Sequence, residues 1–327
     1  MKLFDLDYFQ VKNGEIFIVR GNWHPRGKFL ACPVYWPCEF GDRISLDGKK
    51  YRKEVIEVAD DQKFNFPFAI KNKEIPRNVF LVPELEITKV FRPGKIIKKF
   101  KKEFTNTIWR DIFEAIKSVG VNEKDIGIFG SYLVGLYKKT DGKLAKDIDF
   151  LVYGEENCLI LQKNFDLIIK KTGLKNISQN HINYESQKLG GVFIQKNNSF
   201  ELTLANKWSS VQVGDGILTT IRFVKMEHET GVNPVIRNPM IGGKKIRGIV
   251  IDDFSCNFVP RFFKIFDGKK VWKILTYFWV YHQAVRVGEV VEVCGNIHLD
   301  GNLITVDKYY QGIKILKRSK NALPSYQ

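Results

Sequence analysis

The stretch IGIFGSYLVGLYKKTDGKLAKDIDFLVYG, Ile126 to Gly154, decides how the chain is read. It opens on a short apolar run, Ile126 to Phe129, of the kind a buried strand carries. Gly130-Ser131 follows, and the apolar residues Leu133, Val134 and Leu136 predict a short helix after it. A polar loop, Lys138 to Lys146, leads to a second strand-like run, Asp147 to Tyr153. Side chains alternate along a strand, so Asp147 and Asp149 share one face and Ile148 and Phe150 the other.

Neighbouring carboxylates are costly. At about 4 Å and an effective dielectric near 20, like charges repel by roughly 4 kcal/mol. A protein can protonate one, hydrate both, or place a divalent cation between them. Carboxylate pairs completed by substrate phosphates are what Mg²⁺ prefers. Gly130 lets a phosphate approach the backbone, and N–H groups at a helix start point toward an anion. A phosphate cradle beside a metal-binding acid pair suits phosphoryl or nucleotidyl transfer.

In order and context these residues resemble the signature of the DNA polymerase beta-type nucleotidyltransferase superfamily. That signature is a strand ending in Gly-Ser, here Gly130-Ser131, a short helix, then a strand carrying Asp-x-Asp, here Asp147-Ile148-Asp149. The phrases RGNWHPRGKFLACPVYWP (Arg20 to Pro37) and KKIRGIVIDDFSCNFVPRFFKI (Lys244 to Ile265) resemble the parts outside the core in a poorly characterised archaeal group of predicted nucleotidyltransferases. The resemblance implies that Asp147 and Asp149 hold Mg²⁺ and that Gly130 and Ser131 contact a nucleoside triphosphate. It also implies a third acid on a later strand. Here the sequence departs. The strand-like run Ile217 to Val224 has no acid, and Thr220 or Arg222 stands at the expected place. Asp215, Glu227 and Glu201 are the nearest alternatives, and Arg222 is read as a phosphate contact or a strand-end ion pair. Lys146 also stands where a small polar residue often precedes the first aspartate, and the loop between the motifs is slightly long.

The chain has 327 residues and a formal charge of +16, from 52 Lys and Arg against 36 Asp and Glu. A basic excess of this size points to polyanions, nucleic acid or nucleoside triphosphate. With 44% hydrophobic and 27% charged residues it reads as globular rather than disordered. No apolar run has the length of a membrane span, and Met1 to Asp5 turns acidic at once, so neither a membrane partner nor a signal peptide is expected. The cysteines Cys32, Cys38, Cys158, Cys256 and Cys294 are odd in number and show no CxxC, which suits reduced thiols in a cytoplasm.

Around the core the sequence predicts an α/β nucleotidyltransferase-like centre, a mixed sheet with helices, at residues 93–225. A β-rich domain precedes it at 1–92, and a β-rich, OB-like domain follows at 226–327. In the first, Glu15 to Arg20 and Phe29 to Tyr35 read as strands, and Asp47-Gly48 as a tight turn. Ile97, Phe100, Phe104, Ile108, Ile112 and Ile116 predict one amphipathic helix ended by Gly120. Glu155 to Lys171 predicts another, ended at Gly173, and Phe200 to Leu204 a short element. In the last third, runs from Ile246 to Tyr309 predict about five strands, and Lys314 onward a frayed tail. Aromatics there, among them Trp272, Tyr277, Trp279 and Tyr310, lie between lysines and arginines, a pattern that can stack bases or simply fill a barrel.

The expected function is Mg²⁺-dependent transfer of a nucleoside monophosphate from NTP to an acceptor, with RNA favoured. The alternative is a catalytically inactive protein of the same fold that binds RNA or nucleotides.

Overall fold

The computed structural model describes residues 1–53, 79–143, 147–190, 199–214, 216–231, 238–308 and 310–319. Lys146 and Asp215 lie outside the described residues, as does Tyr309. The protein is mixed α/β, mostly strand, with three sheets and few helices.

The first sheet holds β1 (Tyr8–Val11), β2 (Ile16–Val19), β3 (Lys28–Pro37), β4 (Arg43–Ile44), β5 (Lys50–Lys53), β6 (Phe80–Pro83) and β7 (Ile87–Phe91). Its order is β7-β1-β2-β3-β5-β4, with β6 also on β3. The edge beyond β4 is taken by β9 (Lys138–Lys139), a segment of the polar loop that follows Gly130-Ser131. The central segment is therefore stitched into the first sheet.

Between Pro93 and Gly120 the apolar period is continuous, but the helix is not. A turn at Pro93–Ile96 leads into α1 (Ile97–Glu103), and α2 (Ile108–Ser118) follows a break. The interruption is Thr105-Asn106-Thr107. Such side chains compete for backbone hydrogen bonds. Asn106 adopts φ +57°, and the Thr107 hydroxyl accepts from Arg110 N–H at 3.4 Å. Two of the lysines on this segment find partners inside the chain: Lys101 pairs with Glu123 at 2.8 Å and Lys99 with Glu103 at 3.6 Å.

The second sheet contains β8 (Ile126–Phe129), β10 (Asp149–Tyr153), β11 (Lys175–Asn176), β12 (Ser210–Val213) and β13 (Ile217–Val224), in the order β11-β12-β13-β10-β8. β10 runs parallel to β13 and antiparallel to β8. Phe150, Val152, Ile221 and Phe223 point to one face, where they pack with residues of α1, α2 and α3 (Glu155–Thr172). Gly173, in the left-handed region, ends α3 as its sequence predicts. The other face carries Asp149, Leu151, Arg222 and Val224, and Leu151 and Val224 pack on Leu6 with Ile18 beside them. The acid-bearing face is thus turned toward the first sheet, not toward open solvent.

Helices α4 (Gln179–Gly190) and α5 (Ser199–Ala205) pack against the third sheet through Ile182, Leu189, Phe200 and Leu204. This comprises β14 (Met240–Asp252), β15 (Arg261–Phe266), β16 (Val271–Thr276), β17 (Val290–His298), β18 (Leu303–Val306) and β19 (Gly312–Lys317). The ladder β14-β15-β16-β18-β17 closes through a β14–β17 pairing, and β16 and β18 are parallel. The second edge of β17 is shared between β18 and β19, so Lys314 to Lys317, expected to fray, instead complete the sheet, while 320–327 of the expected tail lie outside the described residues. At Gly248 the long strand β14 runs close to β15: a Cβ there would stand 2.6 Å from the Phe266 carbonyl oxygen.

Two stability outcomes follow. Thr107→Ala removes the cap of α2 and is expected to cost about 1 kcal/mol in urea unfolding. Gly248→Val forces β14 and β15 apart and is expected to cost more, about 2–4 kcal/mol by the same measurement.

Candidate functional site

β8 ends at Gly130, whose φ of +78° is open to glycine and strained for other residues. Register places Phe129 opposite Asp149, and a Cβ on Gly130 would lie 3.3 Å from Asp149 Oδ2. On its other side Asp149 Oδ1 accepts the Thr220 N–H at 3.1 Å, from the parallel neighbour β13. Asp149 is thus held between two strands, and Asp147 lies just before the strand start with its charge reaching it. Burial raises the Asp149 pKa most, Asp147 raises it further, and Lys53, Arg222 and the Thr220 N–H pull it back, leaving it at about 6.

The structure thus brings together Gly130, Asp147, Asp149 and Arg222 of the sequence-predicted set. Ser131 adjoins them, buried. The expected short helix after Gly130-Ser131 is absent. Tight turns replace it, with Gly135 N–H donating to the Tyr132 carbonyl at 3.2 Å and Leu136 N–H to the Ser131 carbonyl at 2.9 Å. Gly135, at φ +75°, lets the chain turn where a helix would continue. There is consequently no helix N-terminus here, and the Gly130 N–H is directed at the Tyr8 hydroxyl.

Sequence reasoning missed what the first sheet contributes. Lys53 ends β5 as an exposed residue; its pKa is raised first by Tyr35, then by Asp147 and Asp149, against the cost of burying its charge. Tyr35, on β3, is fully buried and its hydroxyl has no hydrogen-bond partner among the described residues. Burial lifts its pKa, Lys53 and Arg43 lower it, and both aspartates raise it. Two acids therefore meet Lys53 and Arg222 across the sheets. No periodicity announces this, because Lys53 and Tyr35 are separated from Asp147 by the whole helical segment.

Of the candidate third acids, Asp215 lies outside the described residues, and Glu227 and Glu201 do not join the group. Glu227 is an exposed partner of Lys2, and Glu201 sits on α5 rather than on a strand. Neither is among the charges that reach Asp149. No set of three His, Cys, Asp or Glu residues suited to a metal occurs among the described residues.

Most of the aromatics expected to stack bases in the last third are buried. Trp272, Tyr277, Phe278 and Tyr281 are buried, Trp279 is half-buried and Tyr310 is exposed. Trp272, Phe278 and Tyr281 pack in the core of the third sheet, and Tyr277 packs against Leu30 and Cys32 of the first. In the first sheet, His24 accepts the Leu30 N–H through Nδ1, and Arg20 donates to the Tyr277 carbonyl at 2.8 Å, so both serve the fold.

No known family description and no solved structure matches the chain. An uncharacterised protein of Methanocaldococcus jannaschii (MJ1086) is 25% identical over 264 residues, which span 69% of this chain and 76% of that protein. This accords with an uncharacterised archaeal group and brings no activity with it. Among the described residues no helix is long and apolar enough to cross a membrane.

The raised Asp149 pKa gives a stability outcome. A carboxyl whose folded pKa exceeds its unfolded value of 3.8 favours the fold when protonated, and that favour is lost as pH rises through about 6. Asp149→Asn is therefore expected to be more stable than the wild type at pH 8, by about 1–3 kcal/mol, with the advantage vanishing near pH 4. Paired melting curves across that range measure it.

Proposed function

We propose that this chain is a nucleotidyltransferase that uses Mg²⁺ and moves a nucleoside monophosphate from NTP to an acceptor. The observation that carries the proposal is the approach of Asp149 to the Gly130 turn across β8 and β10, with Asp147 beside it and Arg222 on the parallel strand. The order strand, Gly-Ser, strand with Asp-x-Asp, then a further parallel strand accords with the nucleotidyltransferase resemblance.

The donor set fits one Mg²⁺. It offers carboxylate oxygens only, and Asp149 is held against its own ionisation by burial and by Asp147, which a divalent charge relieves. Asp147 and Asp149 would hold the ion, which when bound would offset the charge building on the α-phosphate. Arg222 and Lys53 would draw the triphosphate to the acids. Tyr35 offers a buried hydroxyl as a donor to a phosphate oxygen. Gly130 keeps the space beside Asp149 open, while its N–H serves Tyr8 rather than the substrate.

We read the third sheet as an OB-like barrel, because its ladder closes in the order first-second-third-fifth-fourth with the third and fifth strands parallel. RNA is the acceptor favoured by the +16 charge, and the buried aromatics leave lysines and arginines rather than stacking rings to hold it.

A second reading, an inactive protein of this fold that binds nucleotides or RNA, is favoured by one observation. Thr220 and Arg222 stand where a third acid is wanted, so no residue on β13 can take a proton from an attacking hydroxyl.

Incubation with each labelled NTP, Mg²⁺, and either total RNA or protein acceptors tests the proposal. Transfer is expected with at least one NTP and is expected to fall at least about a hundredfold in Asp149→Asn, with NTP binding retained. Binding without transfer under every condition would select the second reading.

A further inference from the structure

The third sheet carries apolar residues on a part of its outer face that nothing covers. Ile246, Val250, Phe263, Ile265, Ile274 and Val291 point into its core. Side chains alternate along a strand, so Ile249, Phe266 and Val271 point outward. Register sets them in one row: Val271 opposite Phe266, Phe266 opposite Ile249, and Ile249 opposite Val290. Ile251 follows two residues along β14. Val287 lies beside it, because Val287 N–H donates to Asp253 at 3.1 Å and Gly288 N–H to the Val250 carbonyl at 2.8 Å. Ile249 is 48% exposed, Ile251 44%, Phe266 and Val271 each 40%, and Val287 52%.

A sheet with one face in water alternates apolar and polar residues, and a strand apolar on both faces is one covered on both. Ile249-Val250-Ile251 is apolar on both. Elsewhere on the outer face that cover exists: Phe262, Leu275, Tyr277 and Leu303 pack with Leu30, Cys32 and Leu81 of the first sheet. A contiguous exposed apolar patch marks a surface that another molecule covers. At Ile249 the β14 backbone is paired on both sides, with β15 and β17, so the covering molecule meets side chains and not a free strand edge.

The rim of the patch is positive. Lys264 and Lys273, directly opposite each other, flank the row on one side, and Arg247 and the turn residue Lys269 flank it on the other. The nearby acids are engaged. Asp252 pairs with Lys264 at 2.9 Å, and Asp267 accepts from the Trp272 indole at 2.7 Å and from two backbone N–H groups. Glu292 pairs with Lys245 at 2.9 Å and stands opposite both Arg247 and Lys314, one acid among three cations. Lys269 and Lys273 have no acidic partner among the described residues. A second copy would set these cations against themselves, since a two-fold contact uses the same patch twice. RNA would meet one ring, Phe266, among aliphatic side chains, whereas unpaired bases stack on rings.

We propose that the outer face of the third sheet around Ile249, Phe266 and Val271 docks a protein partner whose contact surface is an apolar row edged by Asp and Glu. The apolar centre matches the row, and the carboxylates match the cations of the rim. This surface is separate from the acid pair and stands whether or not the chain transfers nucleotides.

Selection of a displayed library of random peptides on the full chain tests this, with Ile249→Asp and Lys273→Glu chains run in parallel. Peptides enriched on the wild type are expected to carry apolar residues interleaved with Asp or Glu. Synthetic copies are expected to bind Ile249→Asp about tenfold or more weakly than the wild type, and to bind less well to Lys273→Glu and in high salt. Melting curves show whether each variant is folded, and Val271→Asp repeats the test if Ile249→Asp is not. No enriched peptide, enriched peptides without acids, or binding indifferent to Ile249→Asp overturns the proposal. Sedimentation of the wild type as a dimer that Ile249→Asp dissolves also overturns it and assigns the patch to a second copy. Binding of single-stranded RNA oligomers that Ile249→Asp removes overturns it in favour of nucleic acid.

Discussion

The repulsion between Asp147 and Asp149 is the constraint around which the rest of the molecule is arranged. Asp149 cannot retreat into solvent, because β8 and β13 fix it on both sides and the first sheet closes over its face. The protein answers with cations brought from elsewhere, Lys53 from β5 and Arg222 from β13. It also sheds bulk, leaving glycine where any side chain would crowd the carboxylate. The acids are still not fully compensated, since burial and mutual repulsion leave Asp149 reluctant to ionise. A site in that state is receptive to a further positive charge.

The same face explains why the sheets are interlocked. Arg20 from the first sheet and Arg261 from the third both reach the Tyr277 carbonyl. Asn22 donates to the Lys225 carbonyl at 2.9 Å and to Thr230 at 3.0 Å, while its own oxygen accepts from Asp5 N–H. These contacts join the turn after β2 to the segment leaving β13. Burying cations is expensive unless geometry and partners are good. Their concentration marks the place where the three sheets meet.

Much of the fold was legible because it rests on local period and punctuation. Ile126 to Phe129 and Ile217 to Val224 are strands as their apolar runs imply, and Gly173 ends α3 as its position implies. The helix across 97–118 was misread as continuous because its apolar period persists through Thr105-Asn106-Thr107 while the backbone does not. The helix after Ser131 was misread because Leu133, Val134 and Leu136 are buried by tight turns instead of by a helical face. At the site, Asp149 and Gly130 could be read from the pairing of the two strand-like runs, while Asp147, expected on the same strand face, lies just before the strand. Lys53 and Tyr35 could not be read so, because they arrive from distant strands, and sequence carries no distance between them.

The two-residue strand Lys138–Lys139 has a mechanical consequence. It belongs by sequence to the loop leading into the acids and by hydrogen bonding to the far edge of the first sheet, against Arg43 and Ile44. The two layers that enclose the aspartates are therefore laced by the very segment that connects the glycine turn to the carboxylates. They cannot swing apart like the jaws of a clamp without unpicking that seam.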